Sequence, residues 1–291
     1  MTQTAYLLAT IDMPAIDNIR TLSNNEFKIA TTEIDELEKF HNEDALFNLV
    51  ELNYIDIETR LDFYLNQYIE NPGLDFSEFS SQFLDLNRLI LNLLSSIRTY
   101  LDHTETRLKR TFKDKSSEVE LFKRLTSEAF DGHFAYRFLE KLRNYSQHCG
   151  LPTGEVTIID DEKGHSIKLS LLRDSLLTNF DSWGAIIKPE LEVQEDKFDI
   201  IPLLEKKVEL LKEINQKISL SLLQKLTKQG NHLLELIIET QDKGKGIPSI
   251  LYISGPENSP KIEIKWFPYD VISKITGVEL KAVYTGEKNY R

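Results

Sequence analysis

Two side chains near the middle of the chain have types and a spacing that suit phosphate chemistry. Arg143 and His148 lie five positions apart in the segment LRNYSQHCGLP, residues 142 to 152. A guanidinium offers a rigid fork for phosphate oxygens, and an imidazole exchanges a proton near neutral pH. Asn144, which follows the arginine, is suited to orienting the histidine or a substrate. Arg143 and His148 therefore form a minimal set for cleaving RNA without a metal ion.

The same segment is predicted to be the end of a helix, with these polar residues off its apolar face. With Arg143 at zero and a step of about 100° per residue, Gln147 falls at about 40°, Asn144 at about 100° and His148 at about 140°. An arc from about 180° to 260° holds the apolar side chains Phe134, Phe138, Leu142 and Tyr145. The Gly-Leu-Pro sequence that follows stops a helix, since glycine accepts a left-handed turn and proline cannot continue it.

The run Arg143-Asn144-Tyr145-Ser146-Gln147-His148 resembles the R-x4-6-H motif of the HEPN superfamily, including the polar residue after the arginine. The resemblance covers about residues 42 to 152 and implies a helical bundle that is a metal-independent endoribonuclease. It implies a homodimer in which two motifs line one cleft, and a role as a toxin or antiviral defence effector. Arg143 would bind the scissile phosphate, and His148 would act as general base or acid, leaving a 2′,3′-cyclic phosphate and a 5′-hydroxyl.

A second copy of the motif spacing lies in the preceding helix, at Arg98, Asp102 and His103. These residues, together with Gln147 of the later copy, are candidates to line the same cleft. For Arg98, Asp102 and His103 the alternative is ordinary surface ion pairs. The later copy is favoured because an asparagine follows its arginine and because it lies at a helix end. Non-catalytic roles remain for the later copy as well: Arg143 could pair with Glu140 or another acid, and His148 could cap the last carbonyls of its helix.

The composition excludes several other classes of function. A net charge of −12 is unlike that of proteins that bind duplex nucleic acid by neutralising phosphates. The single cysteine excludes an internal disulfide, the scattered histidines predict no metal site, and no cofactor motif is present. The chain lacks a membrane-length apolar run and a basic leader, so it is expected to be cytoplasmic. The expected partners are RNA, a second copy of the chain, and an inhibitory or regulatory protein.

The fold class predicted from these patterns is α+β, mainly α, in three segments. Residues 1–41 form a short extended unit with strands at 5–11 and 26–34, and residues 42–152 form a HEPN-like helical bundle. Its helices are predicted at about 42–71, 75–111 and 117–148. Residues 153–291 form a mixed α+β region that opens with a hairpin around 161–164 and ends with a short helix and a last strand. Within this region, 180–195 is predicted to be irregular and 233–240 is either helix or strand.

A second function fits the same sequence. The helical bundle could serve as a non-catalytic module for dimerisation or for binding a partner protein. The acidic balance and the unassigned C-terminal half favour this alternative.

Overall fold

The computed structural model describes residues 2–73, 75–161 and 164–280. The chain is α+β and mainly α, as predicted. Its contacts divide it into two compact units. The central unit runs from Ala45 to Ile218, and the terminal unit combines the residues up to Asp44 with those from Ser219 onwards. Within the described ranges, no helix has the length and apolar character required to cross a membrane.

The central unit begins with a helical bundle. Its helices are α2 (Leu46–Glu70), α3 (Phe76–Phe112), α4 (Ser117–Gly132) and α5 (Phe134–His148). Asp75 starts α3 with a capping box, in which its side chain accepts from the Glu78 amide at 2.8 Å and the Glu78 carboxylate accepts from the Asp75 amide. These caps satisfy amide groups that have no partner within the helix.

A small antiparallel sheet and further helices complete the central unit. Strands β3 (Glu155–Asp161), β4 (Gly164–Leu172) and β5 (Lys197–Asp199) lie in the order β3-β4-β5. The helices are α6 (Arg173–Asn179), α7 (Gly184–Glu192) and α8 (Ile201–Lys225), and α8 continues past the boundary at Ile218. The β3–β4 hairpin is confirmed, with Asp161 opposite Gly164.

The core of the central unit is aromatic where α5 meets α7. Trp183 is fully buried, donates to the Leu176 carbonyl at 3.0 Å and stacks on Phe138 with ring centres 5.5 Å apart. Arg137, on the same helix as Phe138, forms a two-pronged ion pair with Glu190 of α7. Together these contacts fix the rotation of α5 about its axis.

The terminal unit is a four-stranded antiparallel sheet with helices. Strand order is β2-β1-β6-β7, from β1 (Thr2–Asp12), β2 (Ala15–Thr21), β6 (Ile247–Pro256) and β7 (Lys261–Trp266). The helices are α1 (Asn24–Asp44), α9 (Thr227–Thr240) and α10 (Tyr269–Thr276). β1 pairs with β6 along almost its full length, from Thr2 opposite Pro256 to Ile11 opposite Ile247. Residues 1–41 therefore belong with the end of the chain, and the compact units differ from the three predicted segments.

The predicted strand at 26–34 is wrong, because this segment lies in α1. Ser23 and Glu26 cap the helix reciprocally: the Ser23 hydroxyl accepts from the Glu26 amide at 3.2 Å, and the Glu26 carboxylate accepts from the Ser23 amide at 2.8 Å. Ala30, Ile34 and Leu37 are buried at helical spacing. The β-branched residues of EFKIATTEI favoured a strand locally, but capping and burial of this face determine a helix.

Other predicted elements change in smaller ways. The helix predicted over 117–148 is two helices, because His133 adopts an extended backbone between α4 and α5. The segment 180–195 is not wholly irregular, since it contains α7, and 233–240 is helical in α9. The helices predicted near 42–71 and 75–111 are confirmed as α2 and α3. Most of the predicted last strand lies outside the described residues.

Candidate functional site

Helix α5 presents its motif residues as its sequence predicts. Its buried face includes Phe138, Leu142 and Tyr145, and the helix ends at His148. The Cys149 amide adds one more i to i−4 hydrogen bond at the end of α5, by donating to the Tyr145 carbonyl at 2.8 Å. Asn144 is half-buried, and Gln147 and His148 are exposed. The position of the motif outside the apolar stripe is therefore confirmed.

Arg143 is half-buried and holds only a weak partner. Its Nη1 donates to Oε1 of Gln147, one turn further along α5, at 3.2 Å. Its Nε is buried and has no hydrogen-bond partner. In the described part of the chain no carboxylate pairs with Arg143, and Glu140 pairs with Lys207 of α8 at 3.5 Å. A buried guanidinium donor without an acceptor is costly, so this arrangement suits a bound anion.

A cavity of about 320 Å³ opens beside Arg143 between α3, α5 and α8. Its apolar wall consists of Leu94, Ile97, Leu101 and Leu139. The polar lining consists of Arg98, Glu140, Lys141, Arg143, Asn144 and Lys207. Four of these six side chains are basic residues and one is acidic. The cavity is thus locally cationic in a chain whose net charge is −12.

The two copies of the motif meet at this cavity through their arginines. Arg98 lines it from α3 and is held by Asp102, with Nε to Oδ2 at 2.8 Å and Nη2 to Oδ1 at 2.7 Å. Asp102, His103 and Gln147 are exposed and do not line the cavity. Arg98 therefore lines this cavity and also forms an i,i+4 ion pair with Asp102.

His148 lies apart from the cavity within one chain. It does not line the cavity, and its side chain makes no hydrogen bond or ion pair with the described residues. Five helical steps separate it from Arg143, which corresponds to about 140° around the axis and about 7.5 Å along it. The capping role considered for His148 is not realised in these contacts. The imidazole is accessible to a ligand or to a second chain.

Lys207 is the site residue that sequence reasoning missed. It is fully buried, donates to the Tyr136 carbonyl at 3.2 Å, and its Nζ lies 2.9 Å from the centre of the Tyr136 ring. Burial, partly opposed by Glu140, lowers its pKa to about 7. The signal was available: Lys207 falls between Leu204 and Leu211 on the buried face of α8, where a lysine needs a specific reason.

The residues present suit an anion better than a cation. Among the described residues, no group of three or more histidine, cysteine or carboxylate side chains is placed to hold a metal ion. The cavity instead offers guanidinium and amine donors, with Asn144 as a neutral partner. Such a set binds phosphate or carboxylate oxygens.

Comparison of the chain with protein-family models, with curated proteins and with solved structures finds no match. The resemblance to the HEPN superfamily therefore depends on the motif residues of α5.

Proposed function

We propose that this chain is a metal-independent endoribonuclease of the HEPN type. The observation that carries the proposal is Arg143, whose buried Nε lacks a protein partner beside a cationic cavity. A phosphate oxygen would supply the missing acceptor and recover part of the desolvation cost. From the resemblance alone we further propose a toxin or antiviral defence effector, and from the composition we propose that it acts in the cytoplasm.

In the proposed reaction the ribose 2′-oxygen attacks the adjacent phosphorus, and the bond from phosphorus to the 5′-oxygen breaks. A general base removes the 2′-hydroxyl proton, and a general acid protonates the departing 5′-oxygen. Arg143 stabilises the negative charge that develops on the non-bridging oxygens, and Asn144 orients the phosphate. The products are a 2′,3′-cyclic phosphate and a 5′-hydroxyl, with one proton taken up and one released.

A homodimer would supply both proton-transfer groups. His148 is exposed and lies outside the cavity of its own chain, so it is free to act on RNA held between two chains. One His148 would remove the 2′-hydroxyl proton and the other would protonate the leaving oxygen. This arrangement also explains why a single chain contains Arg143 and His148 without direct contact between them.

The test is cleavage of a labelled single-stranded RNA by purified protein, separated from any inhibitory protein under mild denaturation and refolded. We expect products that end in 2′,3′-cyclic phosphate, formed equally well with a chelator present. We expect His148→Ala and Arg143→Ala to lose at least about 100-fold in rate, in keeping with general acid–base and electrostatic contributions. His103→Ala is the matched control, since His103 is exposed and lies off the cavity.

The proposal fails if wild type does not cleave RNA, or if His148→Ala cleaves as fast as the parent. A rate lost equally in His103→Ala would also contradict it, because that result would indicate a general surface effect.

A non-catalytic dimerisation or partner-binding module is the second candidate. Leu49, Leu52 and Phe63 are each about half exposed on α2 and fall within an arc of about 60° on that helix. Exposed apolar side chains on one helix face are typical of interaction surfaces. Expression in bacteria separates the candidates: slower growth with wild type than with Arg143→Ala supports the nuclease, and equal growth supports the module.

A further inference from the structure

The cavity between α3, α5 and α8 combines three features of an anion site. It is concave, it has an apolar wall on one side, and its basic side chains outnumber its acidic ones by four to one. Its volume of about 320 Å³ lies at the small end of the range for ligand sites, roughly 300 to 1,000 Å³. A phosphate group with a small substituent is of a suitable size.

The donors around this cavity are not all used within the protein. Arg143 has its buried, unpaired Nε and only one bond from Nη1, to the Gln147 amide oxygen. Asp102 occupies the Nε and Nη2 donors of Arg98 and leaves Nη1. Two guanidinium groups from neighbouring helices therefore retain donors at one cavity. Tetrahedral oxyanions accept several such bonds at once.

Glu140 is the one acidic side chain of the lining, and Lys207 is its partner. The carboxylate of Glu140 lies 3.5 Å from Nζ of Lys207, and about a third of its side chain is exposed. When Lys207 carries a proton it offsets the charge of Glu140, and when it is neutral the carboxylate opposes an incoming anion. The protonation of Lys207 thus sets the charge of the cavity.

We propose that this cavity is a binding site for a phosphate group, with Arg143 and Arg98 as its donors and Lys207 as a protonation switch. Arg143 and Arg98 contact the oxyanion, and Lys207 acts on it through Glu140. This inference rests on the proposed nuclease function, because Arg143 takes part in both the reaction and the anion site. It concerns anion binding only and does not require a dimer.

The groups that face Lys207 determine the direction of the pH effect. Tyr136 and Glu140 of α5 contact Lys207 directly, Arg98 of α3 acts on it through its charge, and Lys141 and Arg143 of α5 line the same cavity. Burial lowers the pKa of Lys207 to about 7, with Arg98 lowering it further and Glu140 raising it. A bound dianion favours the charged amine, so binding takes up a proton between pH 7 and 9.

The test uses sulfate, a phosphate mimic that does not titrate in this range, and isothermal titration calorimetry in a low-anion buffer. We expect wild type to bind sulfate at least tenfold more tightly at pH 6 than at pH 8.5. Lys207→Met should remove this difference, and Arg143→Gln should weaken binding at least tenfold at both pH values. Lys206→Met, at the half-buried neighbour of Lys207 on α8, is the matched control and should behave as wild type.

Competition experiments then identify the source of the phosphate. Displacement of sulfate by a 2′-deoxy dinucleoside phosphate indicates a backbone phosphate, and displacement by a mononucleotide alone indicates a terminal one. The proposal is overturned if sulfate does not bind, if Arg143→Gln binds it as well as wild type, if Lys207→Met keeps the pH dependence, or if neither nucleotide displaces sulfate.

The outcomes for binding and for catalysis are separable. If the protein binds sulfate at this cavity but does not cleave RNA, the anion-site proposal stands and the nuclease proposal fails. If the protein cleaves RNA but Arg143→Gln leaves sulfate binding unchanged, the nuclease proposal stands and the anion-site proposal fails.

Discussion

The Nζ atom of Lys207 lies 2.9 Å from the centre of the Tyr136 ring, and its carboxylate neighbour, Glu140, is 3.5 Å away. Tyr136 and Glu140 both lie on α5, about two turns and about one turn before Arg143, respectively. The amine is fully buried, so desolvation outweighs the attraction of Glu140 and lowers its pKa to about 7. A group that changes charge near neutral pH therefore lies against the helix that carries the motif.

Lys207 should make the free energy of unfolding depend on pH. The unfolded chain holds this proton up to the ordinary lysine pKa of 10.5, and the folded chain releases it near 7. Between these values the unfolded state binds more protons, so stability rises with pH, by up to about 1.4 kcal/mol per unit from this group. Urea denaturation at pH 7, 8 and 9 measures the free energy of unfolding. Its rise with pH should be steeper in wild type and in Lys206→Met than in Lys207→Met. A difference between wild type and Lys207→Met that does not vary with pH would contradict the assignment.

Arg137 should contribute far more to stability than a surface arginine. It is buried, pairs with Glu190, and donates to the Phe130 and Asp131 carbonyls at 2.7 and 3.2 Å, so it links α5 to α7 and to the end of α4. Arg137→Ala leaves these acceptors without their donor and should cost about 3 to 5 kcal/mol in urea denaturation.

The comparison for Arg137 is Arg124→Ala, whose exposed pair with Glu128 spans 3.5 Å on α4. That change should cost less than about 1 kcal/mol. Similar costs for the two variants would show that the Arg137 pair is not the link between these helices.

Gly246 should tolerate a side chain less well than Gly277, although both have positive φ values, +97° and +72°. A Cβ at Gly246 would collide with the carbonyl group of Ile11 on β1, whereas a Cβ at Gly277 meets nothing within 4 Å. Gly277→Ala should cost about 1 to 2 kcal/mol from backbone strain alone. Gly246→Ala should cost about 2 kcal/mol more, because β1 must shift. Equal thermal midpoints for the two variants would refute the close approach at Ile11.

The placement of the motif could be predicted because it depends on a single helix. The apolar spacing of Phe138, Leu142 and Tyr145 determines which face of α5 is buried, and Arg143 follows from the helical step. The cavity could not be predicted in this way. It depends on contacts among α3, α5 and α8, and Lys207 is separated from Arg143 by a hairpin, a short strand and two helices.

The architecture of the terminal unit depends on long-range pairing that local patterns do not encode. Ala5 on β1 pairs opposite Ile253 on β6, and alternation along either strand is compatible with many partners and registers. By contrast, the start of α1 had a local signature: Ser23 followed three residues later by Glu26 is a capping box. The β-branched residues after it obscured that signature.

Asp102→Asn should strengthen anion binding at the cavity. The carboxylate of Asp102 occupies two donors of Arg98 and offsets its charge from the exposed side of α3. The isosteric amide removes that charge and leaves the helix intact, so Arg98 becomes a stronger ligand. Sulfate affinity at pH 6 should rise about threefold to tenfold, and the gain should shrink as sodium chloride increases. Glu128→Gln, which breaks the similar i,i+4 pair with Arg124 on α4, is the matched control and should leave affinity unchanged. An equal gain in both variants would mean that sulfate responds to net charge rather than to Arg98.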